Sequence, residues 1–170
     1  MRPDRDTWAM KMASLTAHRS TCCRRNVGAV LLNERGHVLA TGYNGVAAGQ
    51  PHCNEILTVP RYDLGTSMAQ ISYPNACSGA YSPSGTNLDG CQAIHAEQNA
   101  LLQCRDVYAI HTCYVTASPC ITCVKLLLNT SCQRIVFLED YPHSAAKELW
   151  EGTGRSWQKL TIENSVVQPA

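Results

Sequence analysis

Apolar and polar positions along the chain alternate between two periods. Trp8, Met12 and Leu15 recur along one side of residues 5–19, the spacing of an amphipathic helix. VGAVLLN (27–33) is β-rich and is followed by the turn NERG. HVLATGYNG (37–45) then returns, so the pair predicts a hairpin. Residues 46–90 hold Gly, Pro, Ser and Asn with no steady period and read as one long loop. Regular patterning resumes at CQAIHAEQNALLQC (91–104), where Ile94, Ala96, Ala100, Leu101 and Leu102 predict a largely buried helix. TCYVTAS (112–118) predicts a strand, and PCITCVKLLLNT (119–130) a helix with Pro119 in its first turn. QRIVFLE (133–139) predicts a strand, HSAAKELWEG (143–152) a helix and KLTIENSVV (159–167) a last strand. Strands alternating with helices predict an α/β fold, a sheet with helices on its faces.

Length and composition narrow this picture. The 170 residues predict a single domain over 1–170, with the cysteine-bearing stretch of about 46–90 inserted in it. A hydrophobic share of 45% and a charged share of 16% fit a soluble globular chain. The formal net charge of +1 lacks the basic surplus of nucleic-acid binders, which favours a small substrate. There is no apolar run of about 18 residues, so no membrane span is expected, and the opening residues carry no apolar signal region. The ten cysteines are therefore expected in a reducing cytoplasm, as metal ligands and buried thiols rather than disulfides.

Two short patterns carry chemistry. Cys120 and Cys123 stand three apart at a predicted helix start, on one side of its first turn. Free N–H groups and the helix dipole there favour thiolate over thiol. Catalytic zinc takes three protein ligands and keeps a fourth position open. His95, in IHAEQNA at another helix start, is the candidate third ligand. Glu97 lies two residues on, poorly placed to ligate beside His95 but able to reach a water and move its proton. His95-Ala96-Glu97 followed by Pro119-Cys120-Ile121-Thr122-Cys123 is the H-x-E…P-C-x-x-C order of zinc nucleobase deaminases. The rival reading of these residues is a closed, structural zinc module that binds a partner, in which Glu97 would have no task.

The chain resembles the deoxycytidylate deaminases of the cytidine deaminase superfamily, of the phage and bacterial type. The likeness lies in TCCRRNVGAVLL (21–32), ATGYNGVAAGQPHC (40–53), IHAEQNALLQC (94–104), YVTASPCITC (114–123) and QRIVFLEDY (133–141). The resemblance implies a three-layer cytidine deaminase-like fold with a central mixed five-stranded sheet. It implies hydrolytic conversion of dCMP to dUMP and ammonia on zinc held by His95, Cys120 and Cys123, with Glu97 as proton carrier, supplying dUMP for dTTP synthesis. A deaminase acting on dCTP, cytidine or tRNA adenosine would share the zinc signature. The resemblance also implies a second, structural zinc on Cys22, Cys53, Cys77 and Cys91, pinning the long loop; Cys23 and His52 are neighbouring alternative ligands. Asn44 would touch the sugar, Ala96 the base and Tyr141 the 5′-phosphate. Gly42, Asn44, Gly45 and Gly49 would form a regulatory site for dCTP, an activator, or dTTP, an inhibitor, with Mg²⁺ able to accompany the triphosphate. Ala47 departs from the family pattern, which commonly has proline there. Homo-hexamers are the family's usual assembly, with no nucleic-acid or membrane partner expected.

Overall fold

The structure is a computed structural model that describes residues 2–62, 68–87, 89–142 and 144–161, with the backbone alone at 59–62 and 68–71. Helix α1 (Arg5–Ala17) leads into β1 (Gly28–Leu32) and β2 (Val38–Tyr43). A separate ribbon, β3 (Ile56–Tyr62) and β4 (Met68–Pro74), precedes α2 (Ala96–Gln103). Then come β5 (Thr112–Ala117), α3 (Ile121–Leu128), β6 (Arg134–Glu139), α4 (Ala145–Glu151) and β7 (Ser156–Lys159). The main sheet has five strands in the order β2-β1-β5-β6-β7. β1 runs antiparallel to β2 and to β5, while β5, β6 and β7 are parallel, so the sheet is mixed as expected. No helix among the described residues is long and apolar enough to cross a membrane.

Strand alternation sorts the core into two layers. Ala29, Leu31, Cys113, Val115, Ile135 and Phe137 face α2, α3 and α4, where Trp150 and Leu127 complete the packing. Val30, Leu32, Tyr114 and Val136 point the other way, onto Ala9, Met10 and Ala13 of α1. Each such large side chain contributes about 1.5–3 kcal/mol on burial. Two glycines let the helices approach. A Cβ on Gly28 would lie 2.1 Å from the Ala13 carbonyl oxygen of α1, and one on Gly42 would lie 2.2 Å from that of Ala96 in α2. Gly42 is thus required where α2 seats against β2.

The segment 46–90 differs from the single loop expected of it. Its β3 and β4 pair antiparallel from Ile56↔Pro74 to Tyr62↔Met68. Pro60 lies inside β3 and opposes Gln70. Proline argues against a central strand, but each strand of a two-stranded ribbon is an edge and tolerates it. The terminal strand also differs. β7 begins at Ser156, earlier than expected, and residues 162–167 of the expected strand lie outside the described residues.

One polar cluster fastens α1 to the sheet. Arg134 grips the Asp6 carboxylate with both Nη atoms, and the Tyr114 hydroxyl donates to Asp6 Oδ1 at 2.7 Å. The Arg134 bonds hold the Asp6 carboxyl below its ordinary value. Because that value is lowered, the stabilisation is present above the unfolded aspartate range and fades as pH falls through the folded value. Asp6→Asn is expected to lower unfolding free energy by about 1 kcal/mol at pH 7, a modest amount because the pair is partly exposed. In urea titrations the gap to wild type should close as pH falls below the ordinary aspartate range and through the lowered Asp6 value; a gap that is the same at every pH would contradict this assignment.

Candidate active site

Two helix starts meet at the carboxyl end of β5. α2 begins after His95, whose extended backbone (φ −71°, ψ 156°) makes it the N-cap. Its N–H has no intrahelical acceptor and instead donates to Gln98 Oε1 at 2.9 Å. The segment before it is held as a short bridge, Gly45 pairing with Ile94, and Asn99 Nδ2 donates to the Tyr43 carbonyl at 2.7 Å. Residues 91–94, expected as helix, are therefore lead-in, because bonding to the Gly45 backbone takes the place of a first turn. α3 likewise begins two residues later than expected. Cys120 is its N-cap and Pro119 stands just outside. Cys123 follows at the third helical position, and the pair shares one side of the turn.

These two starts bring His95, Cys120 and Cys123 together. Among the described residues they form the one group of three or more His, Cys, Asp or Glu side chains whose ligating atoms all lie within 4.8 Å of one another. Each Sγ is 3.4 Å from His95 Nδ1, and the two sulfurs are 3.7 Å apart. Tetrahedral zinc, with bonds of about 2.3 Å to sulfur and about 2.0 Å to nitrogen, gives S–S and S–N edges of about 3.8 and 3.5 Å. The triangle therefore fits the metal, and its three donors leave one corner for another ligand.

The electrostatics point the same way. Hydrogen bonding from Cys123, aided by His95, pulls the Cys120 thiol down to about 4. The Cys123 thiol moves up, chiefly because it bonds to the sulfur that ionises first. Two thiolates this close require a neighbouring cation, which a dication provides. The bond to Cys120 raises His95. Burial pushes Glu97 up to about 7, and its carboxyl is near enough to Cys123 for each to affect the other's ionisation. Glu97 is only 4% exposed, yet it lines the pocket beside the triangle.

That pocket also has Ala96, Asn44, Tyr141, Arg24, Arg25, Ser84, Cys22 and Cys91 among its lining residues. Asn44 is largely committed to the fold. Its amide oxygen accepts from Val27 N–H at 2.8 Å and its nitrogen donates to the Arg25 carbonyl at 2.7 Å. One N–H and one lone pair remain for a ligand. The Tyr141 backbone N–H donates to Ser118 Oγ at 2.7 Å, which anchors the backbone of this pocket-lining residue. Ser84 was not singled out by sequence reasoning. It sits in an aperiodic stretch, and its only signal was its place in a cysteine-bracketed insertion.

The remaining candidates occupy two other places. Cys53 and Cys77 are buried together with Ala80, and Cys77 is near enough to the Cys53 and Cys91 thiols for them to influence its ionisation. Cys22 is near enough for its charge to raise Cys53 and Cys91. The four share a corner, but no three of them have sulfurs mutually within 4.8 Å. Cys23 instead donates to the Cys53 carbonyl at 3.0 Å. Gly45 and Gly49 line a separate cleft of about 310 Å³ with Thr21, Tyr43, His52 and Asn99. Gly42 lies under α2.

A family model described as the cytidine and deoxycytidylate deaminase zinc-binding region matches residues 3–139. The deoxycytidylate deaminase of Mycobacterium phage D29 is 39% identical over 137 residues, covering 80% of this chain and 95% of that protein. The deoxycytidylate deaminase of Schizosaccharomyces pombe is 38% identical over 172 residues, covering 97% of this chain. This chain spans about half of that yeast relative's length, 47%. The dCMP deaminase of cyanophage S-TIM5, solved as a crystal structure with dCMP and dUMP, has the same fold, with a TM-score of 0.67 and 22% identity over 94% of this chain and 99% of that one.

Cys123→Ser and His95→Ala are each expected to lower bound zinc by one equivalent per chain, read by atomic absorption after dialysis. Unchanged zinc in both variants would refute the triangle as a metal site.

Proposed function

The chain belongs to the cytidine and deoxycytidylate deaminase zinc-binding family, and from that premise we propose that it hydrolyses dCMP to dUMP and ammonia. The observation that carries the reading is the open donor triangle of His95, Cys120 and Cys123 with a buried carboxyl, Glu97, beside it. A closed structural module would have a fourth protein ligand at that corner and no use for Glu97. The choice of dCMP among cytosine substrates rests on the names of the relatives. Bound zinc supplies Lewis acidity and brings the pKa of a water towards neutrality.

The chain's own residues then do the following work. Glu97, whose burial raises it into the neutral range, takes one proton of the attacking water and carries it to N3 of cytosine, then moves the second proton, from the hydroxyl newly formed on C4, to the departing amine. Water adds at C4, the C4–N bond breaks, and ammonia leaves. The backbone around Ala96, fully buried at the pocket wall, faces the base. Asn44 offers its spare N–H and lone pair to the sugar hydroxyl, and Tyr141 stands by the 5′-phosphate.

The finer reading is also part of the proposal. The dUMP feeds dTTP synthesis. Cys22, Cys53, Cys77 and Cys91 hold a structural zinc after small shifts of their sulfurs, supported by their shared corner. The cleft at Gly45 and Gly49, adjoining Asn44 and Gly42, takes a regulatory dCTP or dTTP with Mg²⁺ in a homo-hexamer. Gly49 has φ +83° with open space around it, so its backbone can approach a phosphate.

Purified protein is expected to release ammonia from dCMP faster than from dCTP or cytidine. Glu97→Gln should retain zinc and the wild-type melting temperature while losing at least about 100-fold in kcat. Wild-type turnover by that variant would overturn Glu97's role, and preference for dCTP or cytidine would reassign the substrate.

A further inference from the structure

Arg24 stands just ahead of β1, in the wall of the pocket, where a free guanidinium would be expected to await an anion. Most of its donors are already spent. Nε and Nη2 both donate to the Gly79 carbonyl, the first at 2.8 Å, and Nη1 donates to the Thr86 carbonyl at 3.1 Å. One side chain thus grips both ends of an eight-residue stretch of the insertion, 79–86. That stretch is internally stiff. Gly79 N–H donates to Gly90 O at 2.8 Å, and Thr86 N–H donates to Pro83 O at 3.1 Å. Asn87 Nδ2 donates to Ser78 O and Ser82 Oγ, each at 3.2 Å. Gly79 is shaped to the grip, since a Cβ there would lie 2.7 Å from Arg24 Nη2 and 2.8 Å from the Cys91 backbone nitrogen. Between the two gripped carbonyls lies Ser84, which lines the pocket. Its hydroxyl has no hydrogen-bond partner among the described residues.

We propose that Arg24 is a positioning residue that latches residues 79–86 along the mouth of the pocket, and that Ser84, so held, contacts the sugar–phosphate of the substrate and favours nucleoside monophosphates over nucleosides. This rests on the deaminase reading, which puts the base against His95, Glu97 and Cys120. The sugar and phosphate then face the remaining wall, formed by Cys22, Arg24, Arg25, Ser84 and Tyr141. A serine hydroxyl donates to a phosphate oxygen and accepts from a sugar hydroxyl, and segment 79–86 has no regular secondary structure of its own to hold it there.

Two measurements on the zinc-loaded, full-length protein test this. In Ser84→Ala, the ratio of kcat/KM for dCMP to that for deoxycytidine should fall about tenfold, the loss of one hydrogen bond to a charged group. A purely structural role would lower both substrates together. In Arg24→Met, amide hydrogen exchange across 79–86 should quicken about tenfold, with the dCMP ratio falling at least as far as in Ser84→Ala. Gly79→Ala, which unseats the same guanidinium, should reproduce both effects. An unchanged ratio in Ser84→Ala overturns the specificity role. Unchanged exchange in Arg24→Met and Gly79→Ala overturns the latch, and a fallen ratio without faster exchange would mean that Arg24 meets the phosphate itself. If the wild-type protein releases no ammonia from dCMP, it is the deaminase reading and with it the role of Ser84 that fail; the exchange result still decides the latch.

Discussion

The constraint on which the rest depends is the meeting of two helix N-termini at one point. Two buried thiols, a half-buried imidazole and a buried carboxyl converge there. Two sulfurs at 3.7 Å and an imidazole at 3.4 Å from each would repel or stay protonated without a cation. The surrounding fold serves to make that meeting accurate. β5 runs at the centre of the sheet and delivers Cys120 at its carboxyl end. α2 must come equally close, and it does so because Gly42 has no side chain and Asn99 ties the helix to Tyr43. Packing on both faces of the sheet then removes the slack that would blur a metal geometry.

The insertion is built on a different principle. Among the described residues it adds little buried apolar core of its own beyond Cys53, Cys77 and Ala80. Its shape comes from backbone hydrogen bonds, close-packed glycines and the cysteine corner. Cys22 and Cys91 line the pocket as well as belonging to that corner. The loop and the active site therefore share residues, so whatever stiffens the corner also shapes the outer wall of the pocket.

Much of this was legible in the residues because it is local. The 3.6 and 2 periodicities located most helices and strands, and the order H-x-E then P-C-x-x-C singled out the three side chains that the fold brings together. The ribbon β3–β4 was not legible, since Pro60 breaks the expected strand pattern and two edge strands need no buried face. The starts of α2 and α3 shifted because His95 and Cys120 adopt extended cap geometry, which apolar periodicity does not register. The packing role of Gly42 was not legible either, since the close approach of α2 that demands its missing Cβ is a tertiary contact. Ser84 and the grip of Arg24 were invisible because they depend on contacts 55 and 62 residues apart along the chain.

The most direct test is diffraction from crystals of the protein, collected on either side of the zinc absorption edge. The account predicts an anomalous peak about 2.0–2.4 Å from His95 Nδ1, Cys120 Sγ and Cys123 Sγ, with a solvent or substrate atom as the fourth neighbour. No peak there, or a peak whose fourth ligand is a protein side chain, would contradict it.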